Sequence, residues 1–126
     1  MTPPAILIVE DDRNVAELLG FMLSREGFDP RLVRDGRAAE EYVSGNEPAA
    51  AVVLDVMLPY RDGFAVATAI RSDARWKDVP IVVLTARAIP EDMERGRALG
   101  VSDYVTKPFH PRALVDLVKR LASAAG

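Results

Sequence analysis

The chain has 126 residues, 49% of them hydrophobic, with 16 basic and 19 acidic side chains, a formal charge of −3 and no cysteine. That length is one domain's worth with apolar mass enough for a core, and the missing cysteines exclude disulfides, thiolate metal sites and cysteine nucleophiles. The two charge signs are interspersed with no basic run, which gives nucleic acid little reason to bind directly, and the longest apolar stretch, 49–54, falls far short of the roughly 20 residues of a membrane helix.

Ala5 to Val9 is a short apolar run that reads as a strand, and it leads into Glu10-Asp11-Asp12. Val15, Leu18, Leu19 and Met22 then fall at i, i+3, i+4 and i+7, the spacing of a helix face, with Asp12 placed to cap it. Phe28 to Arg34 carries Asp29, Pro30, Arg31 and Arg34 and reads as an edge strand, where a missing N–H and charges are tolerated. Gly36 to Ser44 is a weaker helix. Ala50 to Leu54 is a strand running into Asp55, and Gly63 to Ser72 is again helical, with Pro59 and Gly63 read as turn residues. Trp76, among Asp73, Arg75, Lys77 and Asp78, is expected to cover a loop.

Ile81 to Leu84 is a strand ending at Thr85-Ala86. Pro90 to Leu99 follows as a helix with Met93 set among charges, and its thin apolar face makes it a candidate moving part. Val101 to Val105 is a shorter strand leading to Lys107-Pro108. Leu114, Leu117, Val118 and Leu121 mark the last helix, after which the tail is expected to fray. The β-branched runs lack polar alternation, as in strands buried on both faces of a parallel sheet. Five strands alternating with five helices make a doubly wound α/β domain, taken as one unit over 1–126 with an ordered core of about 5–122. Met1-Thr2-Pro3-Pro4 has neither the basic start nor the apolar block of a signal peptide, so a soluble, cytoplasmic protein is expected.

In such sheets ligands sit at the carboxyl ends of the strands. Glu10, Asp11 and Asp12 stand at the first, Asp55 at the third, Thr85 at the fourth and Lys107 after the fifth. Clustered carboxylates repel unless something offsets them, and a hard divalent cation does so with carboxylate, phosphate and water oxygens. A carboxylate is also a nucleophile toward phosphorus, and Asp55, alone at the central strand end, is the natural one. Asp12 is better explained as a helix cap than as a metal ligand.

Ile8-Val9-Glu10-Asp11-Asp12, Leu54-Asp55-Val56-Met57-Leu58-Pro59 with Asp62-Gly63, Leu84-Thr85-Ala86 and Tyr104-Val105-Thr106-Lys107-Pro108-Phe109 together resemble the receiver domain of bacterial two-component response regulators (CheY-like). Order, strand placement and spacing agree over essentially the whole chain. The resemblance implies a flavodoxin-like five-stranded sheet of order 2-1-3-4-5. It implies Asp55 as phosphoacceptor from a histidine kinase or histidine phosphotransfer domain. Mg²⁺ (or Mn²⁺) would be held by Asp11 and Asp55, by Glu10 through water and by the backbone carbonyl of Met57. Thr85 and Lys107 would contact phosphoryl oxygens, Thr85 and Tyr104 would form a switch, and the Lys107–Pro108 bond would be cis. Met57 and Arg87, flanking the site, would modulate the phosphoryl lifetime. His110, the lone histidine, is read as a solvated helix-start residue rather than a phosphodonor.

Output in the family usually runs through the fourth helix, fifth strand and fifth helix to a protein target or effector domain. The winged-helix transcription-factor branch dimerises there through an arginine in the last helix, a position that Leu117 occupies here. That departure weakens the case for that dimer while leaving other homodimers open. The expected function is a phosphorylation-controlled interaction switch, with slow self-dephosphorylation rather than enzymatic turnover. The alternative within signalling is a receiver fragment of a longer DNA-binding or enzymatic regulator. A flavodoxin-type carrier is disfavoured because three acids after the first strand would repel flavin phosphate. An aspartate phosphohydrolase wants a second carboxylate where Met57 stands, and a degenerate receiver would not keep the full acid, threonine and lysine set.

Overall fold

The computed structural model describes residues 2–58, 62–86 and 89–125. Its strands are β1 (Ala5–Val9), β2 (Asp29–Val33), β3 (Ala51–Asp55), β4 (Ile81–Thr85) and β5 (Asp103–Thr106). They alternate with α1 (Arg13–Arg25), α2 (Gly36–Gly45), α3 (Gly63–Ser72), α4 (Pro90–Ala98) and α5 (Pro111–Ala125). All strand pairs are parallel, in the order β2-β1-β3-β4-β5. The doubly wound α/β expectation therefore holds, with the edge-prone β2 at one margin.

Alternation within each strand builds two cores. Ile6, Ile8, Val53, Val82 and Leu84 pack against α1 and α5, while Leu7, Val9, Val52, Leu54 and Val83 face the cluster formed with α2 and α3. Every residue of β3 and β4 is buried, because helices cover both faces of the central strands. That explains their unbroken apolar composition. At roughly 25 cal/mol per Å², each fully buried Val, Leu or Ile contributes about 1.5–3 kcal/mol.

Two features depart from the sequence reading. The inward stripe of α1 is Ala16, Leu19, Gly20 and Leu23, whereas Leu18 is 45% exposed. Val15, Leu19 and Met22 meet the core as expected and Leu18 turns outward, while Ala16 and Gly20 complete the inward stripe, because small residues count for little in an apolar tally. Gly20 faces β2, where a Cβ would make ordinary contact with Leu32 at 3.5 Å and Pro30 at 3.7 Å. Trp76 is not a loop cover but fully buried core. Its indole Nε1–H donates to the Asn46 carbonyl at 3.1 Å, and Tyr42 meets its ring edge-on at 6.1 Å between centroids. Arg75 beside it donates to the carbonyls of Val43, Ser44 and Asn46. One turn thus sends the indole in and the charges out, which a count of charged neighbours cannot reveal.

Candidate functional site

Parallel registration brings the strand ends level. Val9 pairs with Leu54, Asp55 with Leu84, and Thr85 with Thr106. Residues one step beyond or at these ends therefore converge: Glu10 after β1, Asp55 ending β3, Thr85 ending β4 and Lys107 after β5. Glu10, Asp55 and Thr85 are the buried polar residues among those described, at 0%, 4% and 3% exposure. Buried polar groups need partners, and the two acids have them. Lys107 Nζ donates to Glu10 Oε1 at 2.8 Å and to Asp55 Oδ2 at 2.9 Å. The Asp12 N–H donates to Glu10 Oε2 at 3.1 Å, and the Met57 N–H to Asp55 Oδ1 at 3.0 Å. Asp55 is thus oriented through both oxygens.

The backbone around Asp55 is set by close packing. Val56 N–H donates to the Leu84 carbonyl at 3.0 Å, and Gly63 N–H to the Val56 carbonyl at 2.8 Å. A Cβ on Gly63 would stand 2.3 Å from the Asp55 carbonyl oxygen. The sequence reading treated Gly63 as a plain turn residue; it is instead the point where α3 abuts the backbone of the reactive strand end. The available signal was the Asp62-Gly63 pair. Asp62 caps α3, its Oδ1 accepting from the Ala65 N–H at 2.9 Å.

The charge balance at this edge favours a cation. Oxygens of Glu10, Asp11 and Asp55 lie within 4.8 Å of one another, with Asp11 exposed. Among the described residues, Lys107 is the cation in contact with Glu10 and Asp55. Burial pushes Glu10 up to about 7, reinforced by Asp55 and opposed by Lys107 and the Asp12 N–H. Burial lowers the Lys107 pKa, but the two carboxylates outweigh it and the net shift is upward. A short, oxygen-only set with surplus negative charge suits a hard divalent cation. The residues present fit such a metal site.

Asp12 does what a cap does, accepting from the N–H groups of Asn14 at 2.9 Å and Val15 at 3.2 Å. Met57 places its side chain outward, 66% exposed. With Asp11, Val56, Leu58 and Asp62 it lines an open hollow of about 420 Å³ beside the carboxylates. Tyr104 is half-buried with its hydroxyl shut off from solvent and without a well-formed hydrogen bond. Burial, then Asp92, pushes its pKa up, while Thr85 and Arg95 pull the other way. Thr85 and Tyr104 stand on the paired strands β4 and β5. The Lys107–Pro108 peptide is cis. His110 is exposed and accepts from the Ala113 N–H at 3.4 Å through Nδ1, at the start of α5. Arg87 and Pro59 lie outside the described residues.

No described helix is long and apolar enough to cross a membrane. Comparison with known proteins agrees with the geometry. The chain is 42% identical over 121 residues to the transcriptional regulatory protein GltR of Pseudomonas aeruginosa, covering 96% of this chain and 50% of that protein. It therefore spans about half the length of that curated relative. Among solved structures it is similar to the Francisella response regulator 1452 receiver domain, with a TM-score of 0.87, 28% identity and 98% and 99% of the two chains covered. It is also similar to the receiver domain of the sensor histidine kinase PA1611 from Pseudomonas aeruginosa PAO1, which holds a magnesium ion in its active site cleft. That match has a TM-score of 0.84 and 31% identity, covering 96% of this chain and 98% of the other. The response regulator receiver domain profile matches residues 6–119, and the chain belongs to that family.

Proposed function

We propose that Asp55 accepts a phosphoryl group from a phosphohistidine of a histidine kinase or histidine phosphotransfer domain, and that the modified domain then engages a different partner. The observation that carries this reading is the Lys107 ammonium bridging the buried Asp55 and Glu10, with Thr85 buried at the adjoining strand end. In the step, an Asp55 carboxylate oxygen forms a bond to phosphorus as the phosphorus–nitrogen bond of the donor breaks. The imidazole leaves with the electron pair and takes up a proton from water. Lys107, already beside Asp55, swings its charge to a phosphoryl oxygen, and the Thr85 hydroxyl donates to another. The Met57 N–H holds the carboxylate in place meanwhile.

Glu10, Asp11 and Asp55, with the Met57 carbonyl, would hold Mg²⁺ or Mn²⁺, which supplies charge neutralisation at the phosphoryl oxygens. Acceptance is stoichiometric, so the domain is a switch with slow self-dephosphorylation rather than a turnover enzyme. The Met57 side chain at the hollow's edge restricts water, and Arg87 is expected to act with it. The partners are the kinase or phosphotransfer donor and a target or effector engaged through α4, β5 and α5, in the cytoplasm. The two-fold longer GltR supports a second reading, in which this domain controls a DNA-binding effector in a longer regulator.

Intact mass of the protein and its Asp55→Asn variant, after incubation with Mg²⁺ and acetyl phosphate, tests the proposal. Wild type should gain one phosphoryl group, with no gain in Asp55→Asn or with EDTA. A wild type that gains nothing from acetyl phosphate or from a phosphorylated phosphotransfer domain would refute it.

A further inference from the structure

α4 is the helix with least to anchor it. Gly96 alone is buried within Pro90–Ala98, and the cap position, Ile89, makes no side-chain hydrogen bond. Two adjacent residues supply specific contacts. Arg95 lays its guanidinium over the Phe64 ring, with Cζ 4.2 Å from the centroid. It also reaches Asp62 at 3.9 Å and Asp92 of its own helix at 4.0 Å. Gly96 has no side chain, which lets α4 lie close over Val101 and the Tyr104 ring; a Cβ there would stand 3.1 Å from Val101 Cγ2 and 3.4 Å from Tyr104 Cε2.

Asp62 and Phe64 flank Gly63, the residue packed against the Asp55 carbonyl. One side chain of α4 thus grips both neighbours of the glycine that abuts the reactive strand end, while the next residue of α4 covers Tyr104. Arginine suits this place because its flat cation stacks on a ring face while its edge meets carboxylates.

We propose that Arg95 is a positioning residue that clamps α4 onto the start of α3 and so holds the Tyr104 ring inward beside Thr85. The clamp stands on the geometry alone; its bearing on signalling rests on the proposed function. Arg95 is more than half exposed, with its side chain at 54%, so solvent weakens the clamp. A ring-stacked cation in that setting shifts an equilibrium roughly two- to five-fold.

The test uses the whole chain without any phosphodonor, comparing wild type with Arg95→Met, Arg95→Lys and Asp62→Asn. Amide hydrogen exchange reports on α4, and 3-fluorotyrosine fluorine NMR, assigned with Tyr104→Phe, reports on the ring. Arg95→Met should raise α4 exchange roughly two- to five-fold and move the Tyr104 signal toward that of a solvated ring, with exchange in β3 and β4 unchanged. Arg95→Lys should restore only part of both effects, because lysine keeps the charge but lacks the flat face that stacks on Phe64. Asp62→Asn, which retains the helix cap, should shift both readouts the same way by less. If Arg95→Met leaves either readout unchanged, or loosens β3 and β4 equally, the proposal is overturned. Phosphoryl acceptance in wild type is a separate readout, so its absence would sink the proposed function and leave the clamp standing.

Discussion

Replacing Gly63 with alanine tests the packing argument at the reactive strand end most sharply. The added Cβ would lie 2.3 Å from the Asp55 carbonyl oxygen, 2.8 Å from Val56 Cα and 3.0 Å from the Asp55 carbonyl carbon. All three are backbone atoms, so no side chain can rotate away; either α3 or the end of β3 must move. Overpacking a well-filled interior costs typically 1–3 kcal/mol, and backbone contacts at this distance put the cost at the upper end, about 3 kcal/mol. For a domain of this size that corresponds to a fall of roughly 10 °C in Tm. The move also shifts Asp55 itself and strains the Gly63–Val56 hydrogen bond, so phosphoryl acceptance should drop by more than the loss of folded protein explains. Thermal and urea unfolding measure the first effect, and the rate of mass gain with acetyl phosphate measures the second. Gly45→Ala is the control. Nothing lies within 4 Å of its Cβ position, so it should be neutral or gain up to about 1 kcal/mol in helix propensity. A Gly63→Ala protein with wild-type Tm and acceptance rate would refute the reasoning.

Trp76→Ala should cost about 3–5 kcal/mol in urea unfolding, since it empties a fully buried site and removes one of the two donors to the Asn46 carbonyl; a loss below about 1 kcal/mol would return Trp76 to the surface. Lys107→Met should abolish or sharply slow phosphoryl acceptance. It should also make Mg²⁺ raise Tm more than in wild type, because Glu10 and Asp55 lose their ammonium; thermal scans with and without Mg²⁺ measure this, and an equal shift in both proteins would contradict it. Glu10 is held up at about 7 by burial, so its folded-state pKa lies above the unfolded one. Its contribution favours the fold below the unfolded pKa and is lost as pH rises through about 7. Metal binding needs the ionised form, so Mg²⁺ affinity should rise over that same window, and Glu10→Gln should flatten the rise in a calorimetric titration.

The chemistry of the site was legible because it lies in residue types at strand ends. Glu10, Asp11, Asp55, Thr85 and Lys107 each follow or end an apolar run, and a parallel sheet brings such ends to one edge whatever the details of packing. The α/β alternation and the edge character of β2 were equally legible, since they rest on periodicity and on Pro30 with its charged neighbours. The inward places of Ala16 and Gly20 on α1 were not, because such small residues leave little mark on an apolar period.

Trp76, Gly63 and Arg95 mark what only the tertiary structure decided. A tryptophan among charges, a glycine in a turn and an arginine on a polar helix carry no local sign of importance. Their roles come from what lies across from them: the Asn46 carbonyl, the Asp55 backbone and the Phe64 ring. Sequence by itself determined the sheet, its order of elements and the gathering of Glu10, Asp55, Thr85 and Lys107 at one edge, because hydrophobic period and strand-end position act locally. Close approaches between distant segments were settled only when both sides were packed, because contact energies depend on distances of a few tenths of an ångström that no linear pattern encodes.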